Sequence, residues 1–266
     1  MKAYISDMLN NQPISLVLWT LAPGPSPEDD QRRLLPLLDS EERARWERFR
    51  DARDRWSYAA AHGLCRLSLS ASPESLGPRA TPEGWRFLPG PHGKPEVDPI
   101  RSQAVARPFS ISHTRGLSAC ARLDALPAPG LAIGVDVEGT RRPLEAQSLA
   151  DRFFHPMEAQ WLRDLPEDAV LGSFMTLWTL KEAVVKALGT GIQQGLETFH
   201  VASDPARLVE ADAPFGERGH WRLDHWEQGE DHALALALRA PDPERVRVEH
   251  RAFVSVNALL AEADSL

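Results

Sequence analysis

Four side chains in two short stretches could do chemistry together. In Trp178–Gly191, W-T-L-K-E-A-V-V-K-A-L-G-T-G, Glu182 and Lys186 stand four apart. On a helix they share a face, with Trp178 one turn earlier and Lys181 alongside. Such a pair alone is what a solvated helix surface carries, worth about 0.2–0.5 kcal/mol. Its meaning changes with Ile133–Glu138, I-G-V-D-V-E, about forty residues upstream. On a strand Val135 and Val137 point one way and Asp136 and Glu138 the other. Two carboxylates on one face of an apolar strand repel each other and are costly to bury. Either that strand end is wet, or a hard divalent cation resolves the repulsion. In the second case Asp136, Glu138 and Glu182 make a Mg2+ site with positions left for phosphate oxygens. Lys186 would then offset charge that develops during phosphoryl transfer. The residues themselves therefore point to a Mg2+-dependent enzyme acting on a phosphorylated ligand.

Regular elements must hold these groups. Phe174, Leu177, Trp178, Val185 and Leu188 recur at three- and four-residue spacing, which predicts a helix from about Val170 to Leu188. Gly189 and Gly191 stop it and open a loop, expected to be mobile, that runs to Gly195. The chain has 266 residues, 42% of them hydrophobic, enough for one large domain or two small ones with real cores. Cys65 and Cys120, its only cysteines, supply neither a disulfide framework nor a zinc site, which fits a reducing cytoplasm. The opening M-K-A-Y-I-S-D-M lacks the apolar run of a signal peptide, and no stretch is long enough to span a membrane. A net charge of −8 argues against general nucleic-acid binding, and it requires any acidic partner to dock on a local patch.

Along the chain, Ile14–Leu21 reads as a buried strand and Glu28–Leu38 as a helix. Ser40 is a plausible N-cap for an arginine-rich helical region reaching Arg66. Its six arginines between residues 43 and 55 interleave with Glu47, Asp51 and Asp54, as a self-paired solvated face would. A short strand at Trp85–Leu88 precedes G-K-P at Gly93–Pro95, a turn that presents Lys94. Phe109–Ser112 and Leu117–Leu123 form a hairpin with His113 at its turn. L-P-A-P-G at Leu126–Gly130 is the best linker. Beyond it come a strand at Leu131–Glu138, helices at Glu145–Phe153 and from His155-Pro156, and the major helix. Strands follow at Phe199–Ala202, Trp221–Glu227, His232–Arg239 and Val246–Val254, with the alternation A-L-A-L-A-L favouring strand over helix. Each half thus reads as a strand, then helices, then antiparallel strands. The expected fold is α+β, two similar lobes in one chain with a pseudo-twofold relation, each with helices on a mainly antiparallel sheet. The lobes are placed at residues 1–128 and 129–266.

Together, G-V-D-V-E and W-T-L-K-E-A-V-V-K at this separation resemble the two signature motifs of the 4′-phosphopantetheinyl transferases. The resemblance is to the single-chain, two-lobed branch that activates surfactin synthetase, and it extends to F-S-I-S-H-T at Phe109–Thr114, to G-K-P and to Ser40–Arg66. It implies transfer of phosphopantetheine from coenzyme A to a serine of an apo carrier protein, with release of adenosine 3′,5′-bisphosphate. Asp136, Glu138 and Glu182 fall on the family's Mg2+ positions and Lys186 on its phosphate-contacting lysine. Glu182, directly or through water, is the first choice for the base that deprotonates the serine. Glu158 is the second, although it could equally be a first-turn helix acid. Arg45 and His113 are implied to hold the 3′-phosphate of coenzyme A, with Lys94 and Ser112 alongside the nucleotide, and Lys181 is grouped with these contacts. Glu42 departs from relatives with a basic residue three positions before Arg45. Two other classes remain: a Mg2+-dependent phosphotransferase or phosphodiesterase acting on a coenzyme-A-like pyrophosphate, and a non-catalytic carrier-binding module. The expected protein is a monomer that serves an acyl, polyketide or peptidyl carrier, with no nucleic-acid or membrane partner.

Overall fold

Ser15–Leu21 (β1) is buried along nearly its whole length because it lies inside a four-stranded sheet. The computed structural model describes residues 14–141, 144–191, 195–211 and 214–264. The chain forms two compact units: one comprises the chain up to Pro89, Pro95–Leu131 and Glu244 onward, the other Gly90–Lys94 and Ala132–Pro243.

In the first unit, helix Pro27–Leu34 (α1) is followed by Ser40–Arg48 (α2) and Ala52–Ser70 (α3). The arginine-rich region is therefore two helices. Asp51 ends the run, because its side chain accepts the amides of Arg53 and Asp54 and caps a new helix. The cap of α2 is Asp39 rather than Ser40, in a reciprocal box with Glu42. Strands Phe87–Pro89 (β2) and Pro95–Val97 (β3) pair as a small ribbon, and Pro99–Ser102 forms a short helix, α4. Phe109–Thr114 (β4) and Leu117–Leu123 (β5) form the expected hairpin, with β5 antiparallel to β1. α3 packs on β5, β4 and β1, and its Ala59, Ala60 and Leu64 are fully buried.

The second unit begins with Ala132–Gly139 (β6) and helices Ala146–Phe153 (α5), Pro156–Arg163 (α6) and Glu167–Leu188 (α7). Phe199–Ser203 (β7) pairs with Ala206–Ala211 (β8), a strand too polar to stand out in the sequence. Trp221–Gln228 (β9) and His232–Arg239 (β10) complete an antiparallel sheet of order β6-β10-β9. α7 lies across β6 and β10. Its contact face on β6 is identified by Gly134, where an added Cβ would stand 1.9 Å from the Ala183 carbonyl oxygen. Directly across from Gly134, Asp136 and Glu138 in the ladder are Ala237, Ala235 and Ala233. The alternation in A-L-A-L-A-L thus puts small residues where the helix backbone comes closest and buries Leu234, Leu236 and Leu238 on the other face.

The last strand corrects the expected division at residues 128 and 129. Arg247–Phe253 (β11) belongs to the first unit, where it runs parallel to β1 from Ser15↔Arg247 to Leu21↔Phe253. Phe253 stands edge-on to Trp19 with ring centroids 5.2 Å apart, and helix Val256–Asp264 (α8) packs on α3 and α1. Among the described residues no helix is long and apolar enough to cross a membrane. The opening residues read for a signal peptide, and residues 192–194 of the glycine loop, lie outside the described residues. The close approach at Gly134 makes a direct prediction. Gly134→Ala forces backbone against backbone and should cost roughly 3 kcal/mol or more in chemical denaturation, whereas Gly172→Ala on the open side of α7 should be neutral or stabilising.

Candidate active site

Gly134, Asp136 and Glu138 alternate onto the face of β6 that α7 crosses, so the helix that excludes a side chain at Gly134 stands over both carboxylates. The Lys186 ammonium lies 2.6 Å from Asp136 Oδ1, an ion pair whose acid is only 5% exposed. Burial, and then the negative charges of Asp136 and Glu138, hold the Glu182 carboxyl above the ordinary carboxylate range against the pull of Lys186. The structure thus brings together all four groups picked out in the sequence. Their chemistry suits a hard divalent cation: three carboxylates, with the negative charges of Asp136 and Glu138 felt by the half-buried Glu182. Among the described residues no three such groups stand as a ready-made ligand cluster, and Lys186 covers Asp136. A cation would have to share or displace that ammonium.

Lys181 and Glu158 do different work. Lys181 is 0% exposed and Glu158 1%. The Lys181 ammonium donates to Glu158 Oε1 at 2.7 Å and to the Phe199 carbonyl at 2.6 Å, and it lies 4.2 Å from the Phe199 ring centroid. Glu158 also accepts the backbone amides of His155 and Val201, which closes a capping box on α6. Burial pushes the lysine down to about 8, while the charge and hydrogen bond of Glu158 pull the other way. Both residues meet in a buried pair that ties α6, α7 and β7 together.

The remaining candidates also divide. Arg45 on α2 is exposed, with its guanidinium carbon 5.9 Å from the Tyr58 ring centroid. It lines a cavity of about 310 Å3 in the first unit with Glu42, Tyr58, His62, Phe87 and Phe109. Burial and the charge of Glu42 push the Tyr58 hydroxyl up to about 12. Glu42 supports the cavity wall: it accepts from Arg66 Nε at 2.9 Å, meets His62 Nδ1 at 2.7 Å and takes the Asp39 amide at 3.0 Å. Its burial opposes ionisation, but His62, Arg66 and that amide together keep its carboxyl below the ordinary range. This framework of Asp39, Glu42, His62 and Arg66 was missed in the sequence, although D-S-E-E carries the capping-box signal. His113 is exposed on β4 opposite Ser118, on the strand rather than in the turn, and Ser112 is buried opposite Ala119. Lys94 donates to the carbonyls of Ile133 at 2.9 Å and Ala187 at 3.3 Å. It clamps the start of β6 to the end of α7, where a cation also suits the helix dipole.

The carboxylate face and its helix fall within residues 132–237, which match the model of the 4′-phosphopantetheinyl transferase superfamily. The 4′-phosphopantetheinyl transferase HetI of Nostoc sp. is 34% identical over 199 residues, covering 74% of this chain and 78% of the relative. A putative 4′-phosphopantetheinyl transferase of Synechocystis sp. is 32% identical over 72% of this chain and 74% of its own. The 4′-phosphopantetheinyl transferase Sfp of Bacillus subtilis is 27% identical over 71% and 77%. The chain belongs to the 4′-phosphopantetheinyl transferase superfamily.

The buried pair gives a prediction that separates structure from catalysis. Glu158→Ala or Lys181→Ala leaves one buried charge alone and should cost about 3–5 kcal/mol of stability. A double variant, Glu158→Gln with Lys181→Met, should recover most of that loss in chemical denaturation and retain wild-type coenzyme A affinity in calorimetry. Loss of that affinity in a folded double variant would place these residues at the substrate site.

Proposed function

We propose that the protein transfers the 4′-phosphopantetheine group of coenzyme A to a serine of an apo carrier protein and releases adenosine 3′,5′-bisphosphate. The observation that carries the site assignment is the meeting of Asp136 and Glu182 with Lys186 on one face of β6 and α7, inside the segment that matches the superfamily. Asp136, Glu138 and Glu182 would hold Mg2+, which would supply positive charge to the pyrophosphate oxygens. Lys186 leaves Asp136 for a phosphate oxygen and balances the charge that grows on the leaving group. Glu182 accepts the serine proton, directly or through a water. The serine oxygen forms its bond to the phosphorus that carries pantetheine as the bond to the bridging oxygen breaks. Arg45 and His113 take the 3′-phosphate, and Ser112 lies beside the nucleotide.

In this reading the two units are versions of one plan related by a pseudo-twofold, since each sets a long helix, α3 or α7, on a mainly antiparallel sheet. The protein works as a cytoplasmic monomer without a nucleic-acid or membrane partner. Family membership disfavours a hydrolytic phosphodiesterase, and the retained acid–lysine set disfavours a non-catalytic module. The direct test is incubation with coenzyme A, Mg2+ and a panel of acyl, polyketide and peptidyl carriers. A mass gain of one phosphopantetheine on a carrier serine is expected, and hydrolysis of coenzyme A without any mass gain would refute transfer.

Two variants probe the roles. Asp136→Asn and Glu182→Gln should each abolish mass gain while keeping a folded circular dichroism spectrum, as should excess chelator with the wild type. Turnover that survives both chelation and Glu182→Gln would eliminate the Mg2+ assignment. Lys186→Ala should lower kcat about a hundredfold with a smaller change in coenzyme A affinity. A change confined to affinity would make Lys186 a ground-state contact only.

A further inference from the structure

Arg107 stands just before β4 in the first unit and is only 2% exposed. The Leu123 amide donates to the Pro108 carbonyl at 2.9 Å, which carries the β4–β5 register one step past Phe109↔Arg122. Continued once more, that register puts Arg107 across from Asp124. Arg107, Arg122 and Asp124 therefore share one face of the sheet. On that face Arg122 reaches the carbonyl and hydroxyl of Ser68 on α3. Two cations and one anion are thus packed together beneath a helix.

The acid is already committed. Arg122 Nε donates to Asp124 Oδ1 at 2.8 Å and Nη2 to Oδ2 at 3.3 Å, so one edge of that guanidinium grips both oxygens. Arg107 makes one long bond, from Nη1 to the Val105 carbonyl at 3.4 Å. Its Nε and Nη2, the same two nitrogens that Arg122 uses, are buried and meet no partner among the described residues. Burial holds this guanidinium below its ordinary range, a shift that Asp124 opposes and Arg122 deepens. An arginine nevertheless keeps its charge at neutral pH, so burying two unused donors is costly. Val105, Ala106, Pro108 and Asp124 are only half-buried, which sets the fork just beneath the surface.

We infer that Arg107 forms an anion site on the first unit, taking a small planar oxyanion of the carboxylate class across Nε and Nη2. The geometry selects the class: two parallel N–H groups on one guanidinium edge match two carboxylate oxygens, as Asp124 matches Arg122. The charge selects a monoanion, because Asp124 balances one of the two arginines. Formate and bicarbonate have that charge and shape. The bound anion completes the balance that Asp124 begins and fastens the start of β4 to the end of β5. The site does not depend on the transferase reading.

Formate is the probe, and urea denaturation of the full chain at constant ionic strength is the readout. Replacing chloride by formate should stabilise the wild type along a saturating curve, reaching about a tenfold gain in the folding equilibrium constant near ten times the dissociation constant. Arg107→Met should lose the saturating response. It should be at least as stable as the wild type in chloride, because a buried charge without a partner is gone. Arg107→Lys keeps the charge but not the two-nitrogen edge, so it should bind formate at least about tenfold more weakly. Arg101→Met removes an exposed arginine from α4 and should respond as the wild type does. A wild type indifferent to the exchange of formate for chloride would overturn the inference, and that measurement needs no variant to fold. An undiminished formate response in Arg107→Met would overturn it too. So would an Arg107→Met protein less stable than the wild type in chloride, since the guanidinium would then have its counter-ion within the chain.

Discussion

The second unit depends on how closely α7 can approach β6. At Gly134 the distance from an imagined Cβ to the helix carbonyl is 1.9 Å, so the absence of a side chain there is a steric condition for the contact. Everything chemical follows from that condition. With the helix so near, residues two and four along the strand, Asp136 and Glu138, lie under the face that bears Glu182 and Lys186. Ala233, Ala235 and Ala237 on the neighbouring strand are small for the same reason. Lys94 holds the two elements from the end, by bonding one carbonyl of each. A site made of like-charged groups tends to push its elements apart, and here packing and clamp oppose that repulsion.

The two lysines of α7 show what helical spacing can and cannot decide. Lys181 and Lys186 are both near Glu182 in sequence, but five residues turn a helix through well over a full turn, so they leave it in different directions. Lys186 reaches the carboxylate face and Lys181 enters the core, where it meets Glu158, the Phe199 carbonyl and two aromatic rings. The direction of Lys181 could be guessed from the helical wheel, since Phe174, Leu177 and Val185 mark the buried side. Its partner could not. Glu158 sits twenty-three residues away on another helix, and H-P-M-E reads equally well as a cap. A charged residue on an apolar stripe is a reason to look for a buried counter-ion before a substrate.

Local patterns made most strands and helices legible, because alternation and three-to-four spacing are imposed by a nearby core. The hairpin of β4 and β5, the major helix and the strand A-L-A-L-A-L all carry that imprint. What escaped is long-range. β11 has the same local appearance as a strand of either unit, and only its parallel ladder with β1, more than two hundred residues earlier, assigns it to the first. The break between α2 and α3 escaped for the opposite reason: it is made by one aspartate, Asp51, in a run whose other acids only balance arginines. Glu42 was noticed as a departure, and the structure supplies its reason. It fastens Arg66 and His62 under the cavity where Arg45 is exposed, a task that a basic residue in its place would not perform beside a buried guanidinium.

The charge balance of the carboxylate face also explains why a lysine, rather than an arginine, suits position 186. An arginine would grip Asp136 through two parallel bonds and part from it reluctantly. A single ammonium on a flexible stem, about one-third exposed, can exchange a carboxylate for a phosphate oxygen with little rearrangement of the backbone. In the proposed reaction the lysine's departure uncovers Asp136 as positive charge arrives with the pyrophosphate, so the strand never carries its full negative charge in a buried setting. Glu182 completes the exchange. Its carboxyl is held above the ordinary range by neighbours of its own sign, so added positive charge favours its ionised form at the stage where a base is required. In the proposed reaction, ligand binding and readiness for proton transfer thus become one electrostatic event on the face where α7 crosses β6 at Gly134.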